Sequence, residues 1–256
     1  MRIKMFFVIL IGVLACTQTV FAAGTRGFQV EQKTSTISQP SAVTVFAEEL
    51  SSLRKKIIAA CAQFQAGRPR ESREQLLAEI DAIIAGWQAI TAAYQGVPPS
   101  EYAHDPSWQG YFAEALDNFE LMRAKAEQGN YKRATQFCGM NCGLFVTMNQ
   151  VNGIDRFSDR MFLLRKQAKT ATDMALANNR NGAMMALKQA DGLLVNLLAA
   201  GHPPGMDPEA FQADLKRLEK AYQAFAASLR TEGKDAIVPA FKEFLKIFGE
   251  IYLRVI

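Results

Sequence analysis

Between residues 46 and 255 the apolar side chains recur at steps of three and four, a period that only helices can bury on one face. Leu50, Leu53, Ile57, Cys61 and Phe64 form a first stripe, and Leu76, Ile80, Ile83, Trp87, Ile90 and Tyr94 a second. Trp108, Phe112, Leu116, Phe119 and Met122 make a third; Tyr131, Ala134, Cys138, Cys142, Phe145 and Met148 a fourth. Four more follow, through Met161, Leu164, Ala168 and Ala171; Ala183, Leu187, Ala190, Leu194 and Leu197; Phe211, Leu215, Leu218, Tyr222, Phe225 and Leu229; and Ile237, Phe241, Phe244, Phe248, Ile251 and Val255. The chain is therefore expected to be all-α, with eight amphipathic helices.

Turn residues fall between the stripes. Gly67-Arg68-Pro69, the Pro-Pro turn over 96–100 and Gly129-Asn130 separate the first four; residues 178–182, 201–205 and Gly233 separate the last four. Asp105 and Asp207 each precede a Pro expected at a first helical position. The two sets also share ordered markers. Leu53-Arg54-Lys55 recurs as Leu164-Arg165-Lys166, Gly96-Val97-Pro98-Pro99 as Gly201-His202-Pro203-Pro204, and Asp105-Pro106 as Asp207-Pro208. Glu127-Gln128-Gly129 has Glu232-Gly233 as its counterpart. A fixed order at an offset of about 105 residues is the trace of a duplicated unit. Short connections make neighbours antiparallel, so the expected architecture is two tandem up-and-down four-helix bundles, over 46–149 and 155–256.

The first 22 residues read as a signal peptide. Arg2 and Lys4 precede an apolar run too short to span a membrane, and Val20-Phe21-Ala22 offers small side chains at −3 and −1. Residues 23–45 follow as a flexible arm, rich in Thr, Ser and Gln before residue 41. The protein is thus expected in the periplasm or secreted. Val13-Leu14-Ala15-Cys16 supports a competing reading, a lipoprotein tethered at Cys16. In either case no transmembrane span is expected after the leader. The formal charge is +4, half of it on Arg2 and Lys4, and no basic tract interleaves with aromatics, so nucleic acid is not an expected partner.

Without Cys16 the exported chain has three cysteines, Cys61, Cys138 and Cys142, in a compartment that favours oxidation. Cys138 and Cys142 sit one turn apart on the apolar stripe of the fourth helix, facing the interior. Three readings stay open. Cys is a small apolar residue and needs no function in a core. Cys61, on a facing stripe, could pair with either of the other two. Or the pair holds a metal: thiolates with the thioethers of Met140 and Met148 suit Cu(I), and thiolate with the His104 imidazole suits Zn(II). Gly139 and Gly143, each costing roughly 0.5–1 kcal/mol in a helix interior, suggest close approach of a neighbour or cofactor.

The segment Phe137-Cys138-Gly139-Met140-Asn141-Cys142-Gly143, on the last helix of an exported four-helix bundle, resembles the haem-attachment region of the cytochrome c′ and cytochrome b562 superfamily. There the family carries Cys-x-x-Cys-His; here three residues separate the cysteines and Gly143 replaces the axial His. In the second half Lys242 and Lys246 align with the two cysteines. The resemblance therefore implies a haem-free tandem relative, with Cys138 and Cys142 as former thioether positions. No Glu-x-x-His pair, phosphate loop or nucleophile motif accompanies it, so an enzyme is not expected. Two function classes stay open: an exported structural or partner-binding module meeting another envelope protein through helix faces or Pro-Pro turns, and a copper-, zinc- or redox-responsive bundle. An electron-transfer cytochrome with atypical haem attachment is a third.

Overall fold

The computed structural model describes residues 42–65, 72–231 and 234–256. The signal-peptide segment, Cys16, the arm as far as residue 41, the Gly67-Arg68-Pro69 turn and Glu232-Gly233 lie outside the described residues. Those that are described form eight α-helices: α1 (Ala42–Gln65), α2 (Arg73–Tyr94), α3 (Trp108–Glu127), α4 (Tyr131–Val151), α5 (Phe157–Leu176), α6 (Arg180–Leu198), α7 (Pro208–Thr231) and α8 (Lys234–Val255). A 3-10 turn over Ser100–Tyr102 is the only other regular element among them. The protein is all-α. Helix α1 begins at Ala42, so the last residues of the expected arm are helical.

The ends of the helices follow local chemistry. Ser72 and Gln75 close α2 with a capping box: the Gln75 N–H donates to Ser72 Oγ at 3.3 Å, and the Ser72 N–H to Gln75 Oε1 at 2.9 Å. Asn130 and Asn179 cap α4 and α6 by accepting from the N–H of Arg133 and Gly182. Helices α3 and α4 stop where Gly129 (φ 70°) and Gly153 (φ 69°) turn left-handed. There the N–H groups of Asn130 and Ile154 reach back to Lys125 O and Asn149 O, at 2.8 and 2.9 Å. The two Asp-Pro pairs differ. Pro208 opens α7 as expected, whereas α3 starts only at Trp108. Asp105 instead ties the preceding turn, accepting from the Ser107 N–H and from Asn152 Nδ2.

Packing closes two rings of four. Helix α1 lies against α2 and α4, and α3 against both α2 and α4; α5 lies against α6 and α8, and α7 against α6 and α8. The rings are not separate bodies: their buried apolar residues form one continuous cluster within a single compact unit, Pro40–Ile256. Trp87 anchors the first ring, stacked on Phe112 at 5.1 Å with its indole N–H donating to Phe112 O at 3.0 Å. In the second ring Tyr222 and Phe225 of α7 pack ring to ring with Phe244 of α8, and Phe244 with Phe248, while α6 buries the small side chains of Ala183, Ala186 and Ala190. Helix α2 is long and apolar enough to cross a membrane, but its stripe of Leu76, Ile80, Ile83, Trp87 and Ile90 is buried in this core.

The cysteine pairing is resolved. Cys61 of α1 is bonded to Cys138 of α4, with Cα atoms 6.2 Å apart, and Cys142 is a free, buried thiol. The bond closes a loop of sequence separation 77. Cross-linking so long a loop removes much entropy from the unfolded chain, so Cys61→Ala should lower stability by about 2–5 kcal/mol. Urea unfolding with and without reductant tests this: reductant should shift the wild type to the midpoint of the variant and leave the variant unmoved.

Candidate functional site at the junction of the rings

The cysteine stripe does not gather a metal site. Cys138 Sγ, bonded to Cys61, lies 3.4 Å from Met122 Sδ inside the first ring. Met140 is half exposed on the outer face of α4, Met148 is fully buried, and His104 is exposed beyond the 3-10 turn. The five residues expected to share a metal are thus not brought together. No cluster of three His, Cys, Asp or Glu suited to a metal occurs among the described residues. Nor do these residues fit haem c: Cys138 has no free thiol for a thioether link, and Gly143 offers no axial ligand.

The glycines need no cofactor either. A Cβ on Gly139 would meet nothing within 4 Å, and one on Gly143 only the Phe162 ring at 3.8 Å. Gly139→Ala should therefore stabilise the fold by about 0.5–1 kcal/mol, read as a higher urea midpoint. The register of the repeat changes as well. The buried positions Ala134, Asn141, Phe145, Met148 and Asn149 of α4 match Ile237, Phe244, Phe248, Ile251 and Tyr252 of α8. That register sets Phe241 and Leu245 opposite Cys138 and Cys142, in place of Lys242 and Lys246, which are exposed. The counterparts of the two cysteines are apolar packing residues.

The polar chemistry lies instead where the rings meet. Arg54 of α1 is 3% exposed and Asp159 of α5 is 3% exposed, and Arg54 Nη1 donates to Asp159 Oδ1 at 2.8 Å. Arg54 Nη2 donates to the Tyr252 hydroxyl of α8 at 2.8 Å. Asn149 Nδ2 of α4 donates to the other Asp159 oxygen at 2.6 Å, and the Tyr102 hydroxyl donates to Asn149 Oδ1 at 2.7 Å. Five elements from both halves meet in one buried network. Sequence reading passed over it, although a signal exists: Arg54 stands four residues after Leu50 and three before Ile57, on the buried stripe. Its repeat counterpart Arg165 is half-buried and lies over the Phe162 ring at 5.5 Å.

Burial sets the protonation of this network. Burial alone would lower the Arg54 pKa, but Tyr252, Asp159 and Cys142 outweigh it and hold the guanidinium charged, above its ordinary value. Burial pushes the Tyr252 phenol up to about 12 against the opposing pull of Arg54. It also raises Tyr102, opposed by Arg156, and the Cys142 thiol, opposed by Arg54 and Arg165.

Above the network opens a cleft of about 300 Å³ between the rings. Leu50, Ser51 and Arg54 form one wall, Arg156, Phe157 and Ser158 another, and Pro203, Pro204, Val255 and Ile256 the rim. Comparison of the chain with protein-family models, with curated proteins and with solved structures finds no match.

Two outcomes follow from the network. Asp159→Ala leaves the Arg54 charge buried without its carboxylate and should cost about 3–5 kcal/mol. Arg54→Met in the same chain should recover a large part of that loss, measured by urea unfolding as a double-mutant cycle. The raised acids give a pH dependence. In the unfolded chain cysteine loses its proton near pH 8.5 and tyrosine near pH 10. Above those values the unfolded chain binds fewer protons than the folded one, so stability is complete below about pH 8 and falls as pH rises toward 12. Unfolding midpoints at pH 7 and 10.5 should show the fall, with a shallower one for Tyr252→Phe.

Proposed function

We propose that this chain is an exported, non-enzymatic helical-bundle protein that binds a partner at the cleft between its rings. We read those rings as tandem up-and-down four-helix bundles derived by duplication, and the leader as placing them in the periplasm or, through Cys16, tethered at a membrane. The observation that carries the binding reading is the composition of the cleft. Its walls come from both halves, and its rim includes Pro203 and Pro204, one of the two repeated Pro-Pro turns. A Pro-Pro turn has little conformational freedom to lose, so contacts made there cost little ordering entropy. The walls are held by the Arg54 network and, through α1, by the Cys61–Cys138 bond, so the cleft is preformed. Asp159, Asn149, Tyr102, Tyr252 and both Nη atoms of Arg54 are bonded to one another beneath it, which suits holding a partner rather than transforming a substrate.

A photo-crosslinking amino acid at Pro204, in cells that make the protein naturally, should give a discrete adduct that weakens with Arg156→Glu. The same group at Gln88, on the exposed face of α2, should give none. Adducts of equal strength from both positions, or none from Pro204, would remove the cleft as the binding face.

A further inference from the structure

We propose that the junction cleft binds a carboxylate carried on an apolar stem, the carboxylate at Arg156 and the first turn of α5, the stem along Leu50, Phe157 and Val255. This rests on reading the cleft as the binding face, and it is carried by a surplus of hydrogen-bond donors. Arg54 has both Nη atoms engaged by Asp159 and Tyr252, yet its Nε is buried with no acceptor. Among the described residues Arg156 Nε is likewise buried and unpartnered, although the guanidinium also meets the Tyr102 hydroxyl. Arg156, the N-cap of α5, makes no side-chain cap bond, and among the described residues the N–H groups of Phe157 and Ser158 have no backbone acceptor.

The acceptors nearby are already engaged. Asp159 has one oxygen on Arg54 and the other on Asn149, and the Asn149 carbonyl takes the Tyr102 proton. Asp155 is paired with Arg160. Among the described residues no carboxylate is ion-paired with Arg156. A buried donor without a partner costs free energy, more so on a charged group, and Arg54, Arg156, Phe157 and Ser158 all line the one cleft. A ligand that supplies acceptors and negative charge removes that cost, and the positive end of the α5 dipole favours it. The planar guanidinium of Arg156 suits the two oxygens of a carboxylate. Leu50, Phe157 and Val255 give the lining an apolar share beside the polar Ser51, Asn149 and Asp155, and about 300 Å³ is room for a small amphiphile.

Such a carboxylate could belong to a free acid or to the end of a polypeptide, and the test separates them. The full chain is titrated calorimetrically with octanoate, with octanol, and with a short leucine-ending peptide as acid and as amide. At least one of the two acids should bind saturably, at least about tenfold more tightly than its uncharged counterpart. Arg156→Gln, verified as folded by circular dichroism, should weaken that acid by about tenfold or more. The methyl resonances of Leu50 and Val255 should move on titration. Octanoate alone identifies a free acid as the source, and the peptide acid alone a chain terminus. Equal binding of acid and uncharged counterpart, wild-type affinity in Arg156→Gln, or no binding of either acid overturns the proposal. In the last case a persisting Pro204 adduct would keep the partner-binding reading while removing the carboxylate from it.

Discussion

The buried Arg54–Asp159 pair is the interaction on which the arrangement of the two rings depends. Two charges at 3% exposure each lose several kcal/mol of hydration, and their attraction offsets this only if the remaining polar atoms are also satisfied. That condition recruits Tyr252, Asn149 and Tyr102, each from a different element. Apolar contacts between helices tolerate small slips along a groove; five polar groups that must meet within about 3 Å do not. The network therefore fixes the register of one ring on the other more sharply than the continuous apolar cluster around it. Arg54 and Asn149 of the network also line the cleft, and the buried Arg54 Nε is unpaired among the described residues.

Helix α1 transmits this constraint. Arg54 and Cys61 are seven residues apart, two turns along nearly the same face. The first ties α1 to α5 and α8, and the second ties it covalently to α4. Helix α4 carries both ties as well, Cys138 in the disulfide and Asn149, about three turns further on, in the network. The disulfide thus holds the two helices that present the first ring's share of the polar network, and stabilising the first ring also steadies the cleft.

Helix number, stripes and most ends were legible in the sequence, because each is set by contacts within a few residues. A stripe such as Tyr222, Phe225 and Leu229 states which side is buried, and Asn130 or Gly129 states where a helix starts or stops. The α3 start does not fall at Pro106 although Asp105 Oδ1 accepts from the Ser107 N–H just as Asp207 Oδ1 accepts from the Glu209 N–H; Asp105 differs in also taking the distant Asn152 on Oδ2, and α3 begins at Trp108. Which of the three open readings of the cysteines applies was not legible for a related reason. Helical spacing gives direction, not partner, and Cys61 lies 77 residues away in sequence. The Arg54 network was hidden because it depends on how two similar halves meet, which the pattern within either half does not contain.

That last point also accounts for the lopsided repeat. On the proposed reading of the halves as two copies of one bundle joined in tandem, the copies cannot present the same face to each other and keep identical residues on it unless the join is symmetric. Positions at the junction are therefore where copies diverge. Arg54 is buried in an ion pair while Arg165 lies over Phe162; Asn149 bonds to Asp159 while its burial counterpart Tyr252 bonds to Arg54. Cys138 and Cys142 differ from Phe241 and Leu245 in the same way, one set cross-linked or pressed against the junction, the other packed as plain apolar residues. On this account the asymmetry reflects assembly of the rings rather than a cofactor lost from one of them. What the asymmetry leaves open is a cleft lined by residues of both halves, formed only once both are in place.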